Sequence, residues 1–360
     1  MDKNTYKLLT PGPLTTTETV KDAMQIDRCT WTQEIRTGLL KLAHADNGDY
    51  TTVLMQGSGT FGVESVLSGV ISSTDKVLVL QNGAYSKRMV EMCDYHGIKY
   101  VVYEEDYAHV PDPAIVEDVL KSDGSITHIS MVHSETTSGL LNNIAAIGEL
   151  AKKYNKKFIV DAMSSFGGVD INVPELGITY LVSSANKCIQ GVPGFSFIIA
   201  KVSDLKQTKG IARSLSLDLY AQWETMEKDG GKWRFTSPTH VVAAFSQALK
   251  ELAAEGGITA RNARYTATNR ALRKGMEELG FKTYIDEAHQ GPIITTFFYP
   301  ENCKFTFEKM YAYLKDHGYV IYPGKLTDAE TFRLGNIGEI YMDDVEKILG
   351  IFKDFVSAEN

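Results

Sequence analysis

The sequence of 360 residues predicts an α/β fold, with a large domain built on a mostly parallel central sheet and a smaller α+β domain toward the carboxyl terminus. Two observations lead to this prediction. Short apolar runs alternate with longer amphipathic segments up to Ala200, which is the pattern of strands joined by crossover helices. Beyond Ala200 this alternation stops, and a new order of strands and helices follows.

Seven apolar runs of four to six residues are predicted as strands of the large sheet. Runs of this length that are rich in Val, Ile and Leu are typical of buried strands. They are residues 51–55, 76–80, 99–103, 127–132, 157–160, 179–184 and 195–200. Helices are predicted between them, at residues 61–72 and 143–154 among others. Several strands end in small or polar residues, so we expect the ligand crevice at the carboxyl edge of this sheet.

The rest of the chain predicts the smaller domain. Residues 201–240 are polar and are predicted to be rich in loops. A long helical stretch then extends from about Val241 to Leu279 and is interrupted by two adjacent glycines. Further strands and helices are predicted at residues 292–299, 305–318, 320–324, 332–338 and from Asp343.

We place the domain boundary at the double glycine, because a pair of glycines interrupts a helix. This gives a large domain of residues 15–255. The small domain is formed by residues 256–360 together with the amino-terminal segment 1–14.

Charge and cysteine content exclude several classes of function. The chain has 37 Lys and Arg against 45 Asp and Glu, a net charge of −8, whereas a broad nucleic-acid surface needs clustered basic residues. Four cysteines without a CxxC pair argue against a disulfide scaffold and a structural zinc site, and we expect no metal. These are Cys29, Cys93, Cys188 and Cys303. We expect a cytoplasmic protein with small-molecule partners, since neither a secretory signal nor an apolar run of roughly 20 residues is present.

The word GSGTFG at residues 57–62 lies between a predicted strand and a predicted helix. It matches the dinucleotide-binding pattern, which leaves an NAD-dependent oxidoreductase as one alternative. That pattern requires an acidic residue at the end of the next strand, where this chain has Gln81, Asn82 and Gly83 instead. The amides and hydroxyls of Ser58, Gly59 and Thr60 still predict a phosphate site at a helix amino terminus. A plain tight turn is the alternative.

Asp161 and Lys187 follow two other predicted strands. Asp161 comes directly after a buried apolar run, and a buried carboxylate needs a partner, which could equally be a structural arginine or a helix terminus. Lys187 lies between apolar strands among small residues, although most lysines are solvated surface residues. A partly desolvated lysine loses its proton readily and attacks carbonyl carbons.

Together these features predict a site for pyridoxal 5'-phosphate. The phosphate requires a helix amino terminus, the pyridine nitrogen requires an anion that keeps it protonated, and the aldehyde requires a lysine. Ser58–Thr60, Asp161 and Lys187 supply these groups at one predicted edge of the sheet.

Several longer sequence motifs resemble those of a known family. They are LLTPGPL near the amino terminus, QGSGT, HSETTSG, IVDAMSSFGG, SSANKCIQGVPG, KWRFTSPTH, FRLGNIG and the run CTW at residues 29–31. With them the chain resembles the class V aminotransferases, which are fold type I pyridoxal-phosphate enzymes, over essentially its whole length. The resemblance implies that Lys187 holds the cofactor covalently and moves protons, and that Asp161 pairs with the pyridinium nitrogen.

The same resemblance implies further cofactor-binding roles. Ser58, Gly59 and Thr60 would bind the phosphate, and Tyr85 would stack on the ring. Thr136 or Thr137 would bind the ring hydroxyl, and between these two the sequence does not decide. Thr236 would reach the phosphate of a neighbouring subunit, which implies a homodimer with shared active sites.

For the substrate, the resemblance implies that Arg333 binds a carboxylate or phosphonate; a surface salt bridge is the alternative. It implies transfer of an amino group from 2-aminoethylphosphonate to pyruvate, giving phosphonoacetaldehyde and L-alanine. An alanine–glyoxylate or serine–pyruvate aminotransferase is the main alternative, and a non-catalytic pyridoxal-binding protein is another. His133 is interpreted as a structural histidine with its hydrogen bonds satisfied, and Cys188 as a packing residue rather than a desulfurase nucleophile.

Overall fold

A computed structural model describes residues 6–26, 31–301, 304–324, 326 and 330–359. Outside these ranges lie Cys29, Thr30 and Cys303, of which the first two begin the CTW run. The strands are β1 (Lys7–Leu8), β2 (Tyr50–Gln56), β3 (Lys76–Gln81), β4 (Lys99–Glu104), β5 (His128–Val132), β6 (Ser134–Glu135), β7 (Leu140–Leu141), β8 (Lys157–Asp161), β9 (Tyr180–Ser184), β10 (Phe195–Lys201), β11 (Ile294–Phe298), β12 (Tyr319–Val320), β13 (Tyr322–Pro323) and β14 (Thr331–Gly335).

The α-helices connect and cover these strands. They are α1 (Glu18–Ala23), α2 (Thr32–Leu42), α3 (Gly59–Val70), α4 (Ala84–Tyr95), α5 (Pro113–Ser122), α6 (Ile144–Lys153), α7 (Val202–Leu205), α8 (Leu219–Lys228), α9 (Thr239–Glu255), α10 (Gly257–Glu278), α11 (Phe307–Asp316) and α12 (Met342–Glu359). No helix in the described part of the chain is both long enough and apolar enough to span a membrane.

The large sheet has seven strands in the order β2-β10-β9-β8-β5-β3-β4. Only β10 is antiparallel to its neighbours in this sheet, and the other strand pairs are parallel. All seven predicted strands and the mostly parallel sheet are therefore confirmed, with ends that differ by at most one residue. Strands β5 and β9 are buried along their full length, which is why their sequences consist of apolar and small residues apart from His128.

Residues 201–240 contain the loops that the sequence predicts, but helix α8, which was not predicted, also forms within them. The side chain of Asp218 accepts a hydrogen bond of 2.9 Å from the amide of Ala221 and caps this helix. Leu219, Trp223 and Met226 have helical spacing and are buried in the large core. Charged and polar residues between them masked this periodicity in the sequence.

A second core lies between the small sheet and the carboxyl-terminal helices. The small sheet has the order β11-β14-β13 with antiparallel pairs, and it packs with helices α10, α11 and α12 through a cluster of aromatic rings. Phe281, for example, lies 5.4 Å from Phe332 and 5.9 Å from Phe352, measured between ring centres. The predicted helix break is confirmed, since α9 ends at Glu255 and α10 begins at Gly257. The domain boundary placed there stays a prediction.

Candidate active site

A pocket of about 610 Å³, its open mouth included, lies at the carboxyl edge of the large sheet. It is formed where β2, β8 and β9 end and where helices α3 and α4 begin. The lining residues are Ser58, Gly59, Thr60, Val63, Tyr85, Arg88, Met92, Asp161, Met163, Ser184, Asn186 and Lys187. Six of the ten predicted site residues are thus brought together, and Thr136, Thr137, Thr236 and Arg333 are outside the lining.

The first turn of α3 forms one wall of this pocket. Ser58 is the amino-terminal cap of the helix, and its side chain makes no capping hydrogen bond within the described residues. The helix packs closely on the sheet, because a Cβ atom on Gly62 would lie 2.6 Å from Ser196 Oγ. Backbone amides at a helix amino terminus attract anions, so this wall is suited to a phosphate.

Arg88 adds a positive charge that the sequence analysis missed. Its Nη1 atom donates a hydrogen bond of 3.4 Å to Thr60 Oγ1, and its guanidinium lies 5.2 Å from the ring centre of Tyr85. Arg88 and Tyr85 are three residues apart on α4 and therefore share a helix face. That spacing was the available signal, and it places a cation beside the phosphate wall.

Asp161 ends strand β8 and is buried, with 6% of its surface exposed. Its Oδ1 atom accepts a hydrogen bond of 2.8 Å from the amide of Met163. Burial raises the pKa of the Asp161 carboxyl to about 6, against the opposing effects of the Met163 amide, Lys187 and Arg88, and the charge of Glu135 raises it further. A buried carboxylate of this kind is destabilising until it gains a cationic partner.

We expect the variant Asp161→Asn to stabilise the cofactor-free protein at neutral pH. The pKa of Asp161 is raised from an ordinary 3.8 to about 6, so the folded state binds more protons than the unfolded state between these values and loses stability as pH rises. The ionised Asp161 carboxyl lowers the free energy of unfolding by at most about 3 kcal/mol. This loss is fully present above pH 6 and absent below pH 3.8.

Urea unfolding from pH 4 to pH 8 checks this expectation. The free energy of unfolding of Asp161→Asn should exceed that of the wild type increasingly as pH rises. The exposed carboxyl of Asp170, which pairs with His44 at 2.8 Å, provides a matched control in Asp170→Asn. A constant difference between Asp161→Asn and wild type across this pH range would contradict the burial cost.

Lys187 lies in the loop after β9 and faces the same pocket as Asp161. Its Nζ atom donates a hydrogen bond of 2.9 Å to the carbonyl of Pro11. The lysine charge lowers the pKa of Asp161, so the two groups attract each other across the pocket. The structure therefore places a lysine and an acid in one pocket at the same sheet edge.

Arg333 lies on β14 and is 1% exposed. Its Nη1 donates a hydrogen bond of 2.8 Å to the carbonyl of Thr136, and its Nε donates one of 3.1 Å to the carbonyl of Pro323. Its guanidinium also hydrogen-bonds the side chain of Tyr85, and burial lowers the pKa of Arg333. No carboxylate of the described chain forms a salt bridge with Arg333, so the surface salt bridge is excluded within those residues.

Glu135 is a second residue that the sequence analysis missed. It is fully buried, and its Oε1 accepts hydrogen bonds from the hydroxyl and the amide of Thr137 at 2.6 and 3.2 Å. Its Oε2 accepts one of 3.4 Å from the amide of Ser86 in the first turn of α4. Burial raises the pKa of Glu135. The carboxyl thereby joins the HSETTSG segment to the helix that carries Tyr85.

The two candidate threonines differ in their surroundings. The Thr137 hydroxyl donates to Glu135 and accepts a hydrogen bond of 3.1 Å from the amide of Ala84. Thr136 is buried, and its carbonyl accepts a hydrogen bond from Arg333. Thr236 is exposed in the segment before α9, and its contact with a neighbouring subunit stays a prediction.

His133 and Cys188 are both close to the site in sequence. The expectation of a satisfied histidine was wrong, because His133 Nδ1 is buried without a hydrogen-bond partner in the described structure. Burial lowers the pKa of His133 to about 4, so its ring is neutral at neutral pH. Cys188 is fully buried, its thiol donates to the carbonyl of Ser164 at 3.2 Å, and burial raises its pKa to about 12. This confirms Cys188 as a packing residue, because a nucleophile must be a thiolate.

The chemistry of the lining fits pyridoxal phosphate. A helix amino terminus and Arg88 could meet the charge of a phosphate, the Asp161 carboxylate could meet a protonated ring nitrogen, and Lys187 could offer an amine to an aldehyde. The flat Tyr85 side chain provides an aromatic wall for a planar ring. These residues line one continuous pocket.

Comparison with known proteins gives matches over nearly the whole chain. The family model for class V aminotransferases matches residues 22–327. The 2-aminoethylphosphonate–pyruvate transaminase of Lysinibacillus sphaericus is 54% identical, over 99% of this chain and 98% of that relative. A bifunctional phosphonoacetaldehyde hydrolase/aminoethylphosphonate transaminase of Clostridioides difficile is also 54% identical over 99% of this chain, which spans 57% of that longer protein.

Solved structures with lower identity share the fold. The crystal structure of the ureidoglycine-glyoxylate aminotransferase of Bacillus subtilis is 22% identical and has a TM-score of 0.89, over 99% of this chain and 94% of that chain. At this identity the similarity concerns the architecture alone.

Proposed function

The chain belongs to the class V aminotransferase family and is a fold type I enzyme that depends on pyridoxal phosphate, and on this premise we propose that it transfers the amino group of 2-aminoethylphosphonate to pyruvate. The products are phosphonoacetaldehyde and L-alanine. The observation that carries the amino-transfer chemistry is the single pocket lined by Lys187, Asp161 and the first turn of α3. The choice of substrates is supported by 54% identity over nearly full length to relatives that bear that name.

Besides Lys187, which would hold the cofactor covalently, six residues of the lining would bind it. Ser58, Gly59, Thr60 and Arg88 would bind its phosphate, Tyr85 would pack against its ring, and Asp161 would face its ring nitrogen. The bound cofactor acts as an electron sink for the carbanion that forms on the substrate.

The residues of the chain supply acid–base chemistry and electrostatic stabilisation. When its amine is free, Lys187 Nζ removes the proton from the amino-bearing carbon of the donor and afterwards acts as an acid. The Asp161 carboxylate keeps a proton on the ring nitrogen through its negative charge. Because Asp161 is buried, this interaction is screened little by water.

Thr136 is favoured over Thr137 as the residue that binds the ring hydroxyl. The Thr137 hydroxyl already donates its one hydrogen to Glu135 and accepts from Ala84, so it has no hydrogen left to donate to the ring hydroxyl oxygen. Thr236 would complete the phosphate site of a second subunit in a homodimer. Its exposure in a single chain supports this proposal.

Arg333 would bind the phosphonate of the donor and the carboxylate of pyruvate, which are both anions. We expect Arg333→Lys to raise the KM for 2-aminoethylphosphonate by about 10- to 100-fold, since a hydrogen bond to a charged group contributes roughly 1.5–3 kcal/mol. Lysine keeps the charge but loses the planar fork that also reaches Thr136 and Pro323. Steady-state kinetics check this, with thermal unfolding of the same variant as the companion measurement. An effect on unfolding temperature alone would assign Arg333 a structural role.

A panel of amino donors tests the proposed function. We expect kcat/KM with pyruvate to be at least about tenfold higher for 2-aminoethylphosphonate than for L-serine or L-alanine, because a site built for a group rejects analogues that lack it. Alanine with glyoxylate is included as the reaction of the main alternative. A preference for serine or alanine as donor would overturn the substrate assignment and leave the aminotransferase family intact. The nicotinamide alternative is not retained, because the chain belongs to another family.

A further inference from the structure

Residues 9–15, called here the amino-terminal strap, are hydrogen-bonded to the strand that carries Arg333 and to the loop that follows it. The amide of Gly335 donates to the carbonyl of Leu9 at 3.0 Å, and the amide of Glu339 donates to the carbonyl of Thr15 at 2.9 Å. The strap begins after β1, which pairs with β12 in parallel. Both ends of the strap are therefore fixed to the part of the molecule that includes Arg333.

The middle of the strap contacts Lys187. The carbonyl of Pro11 accepts the hydrogen bond of 2.9 Å from Lys187 Nζ. A Cβ atom on Gly12 would lie 2.9 Å from both Cδ and Nζ of Lys187, and 3.1 Å from the carbonyl oxygen of Asn186. Glycine at position 12 is thus what leaves room for the end of the lysine side chain.

Thr10 shapes this part of the strap. It is buried, with 1% exposure, and its hydroxyl donates to the carbonyl of Pro13 and accepts a hydrogen bond of 3.4 Å from the amide of Gly12. The turn that presents the Pro11 carbonyl is therefore held from inside the strap as well as from β14.

We propose that the Pro11 carbonyl and Gly12 are the positioning element for the amine of Lys187, an inference that rests on the proposed amino-transfer function. A neutral amine that donates one N–H to a carbonyl keeps its lone pair for the substrate proton. The strap also joins this amine to the strand of Arg333, so the base and the substrate anchor are held in one geometry. In this role Pro11 and Gly12 act on the reaction through Lys187, whose amine they place.

The variant Gly12→Ala tests the proposal, with Gly48→Ala as its matched control. Both glycines have positive φ, +121° and +94°, but a Cβ on Gly48 would have no heavy atom of the described chain within 4 Å. The two variants therefore share the backbone strain of alanine at positive φ, and only Gly12→Ala displaces the lysine. We expect kcat to fall about 10- to 100-fold in Gly12→Ala, with KM for the donor changed less than about threefold and kcat near wild type in Gly48→Ala.

A second readout does not depend on amino transfer. In the cofactor-free protein, acetylation of Lys187 with acetic anhydride is followed by mass spectrometry as a function of pH. The Pro11 carbonyl favours the protonated amine, so the midpoint of acetylation should move to lower pH in Gly12→Ala and stay at the wild-type value in Gly48→Ala. Thr10→Val, which removes one hydroxyl within the strap, should shift the midpoint in the same direction by a smaller amount.

Equal acetylation midpoints in Gly12→Ala and Gly48→Ala would overturn the role of the strap, whatever the substrate of the enzyme. If no donor of the panel supports amino transfer but the acetylation midpoint of Lys187 is shifted, the proposed substrates are refuted. The positioning of Lys187 is then still supported. The two failures are therefore distinguishable.

Discussion

Replacement of Lys187 by alanine is expected to lower turnover by about 10⁴-fold, the upper end of what a positioned acid–base group contributes. The variant loses both the amine that would hold the cofactor and the group that moves the substrate proton. Its fold should be retained, because Lys187 is only partly buried and lines a pocket rather than the hydrophobic core.

Borohydride reduction followed by peptide mass spectrometry gives a measurement independent of activity. The wild type should carry the reduced cofactor at residue 187, whereas Lys187→Ala should release it on dialysis. Lys201→Ala is the matched control, since Lys201 is an exposed lysine at the end of β10 on the opposite edge of the sheet. Near-normal turnover in Lys187→Ala would remove the covalent assignment.

Asp161→Asn is expected to lower kcat by about 10²- to 10³-fold, which is the usual loss when one preorganised electrostatic group is removed from an active site. Asparagine can keep the hydrogen bond from the Met163 amide, and it lacks the negative charge that would hold a proton on the ring nitrogen. We therefore expect the variant to bind the cofactor and to have a KM for the donor close to that of the wild type.

This effect is measured by steady-state kinetics of Asp161→Asn, compared with the control variant Asp170→Asn. The control removes a surface carboxyl from the same part of the chain. The variant should thus be less active and, without cofactor, more stable at neutral pH. Such opposite effects indicate a residue that is destabilising in the fold and needed for chemistry. A kcat within a few fold of wild type would show that the ring nitrogen needs no anion from residue 161.

The large sheet could be predicted from the sequence because its strands are defined by local patterns. Strands β5 and β9 are buried on both faces and consist of apolar and small residues apart from His128, so each can be predicted from about five consecutive residues. Helix α8 also packs on the core, but it was not predicted. Charged and polar residues lie between its few apolar ones and obscure the helical spacing.

The sequence by itself determined that Ser58–Thr60, Asp161 and Lys187 lie at one sheet edge, since the carboxyl ends of parallel strands meet on the same side. Only the tertiary structure decided which groups approach them from elsewhere. Pro11 reaches Lys187 across 176 positions of the chain, and Arg333 reaches Thr136 across 197. Such contacts depend on how separately formed elements pack together, and no local periodicity encodes that packing.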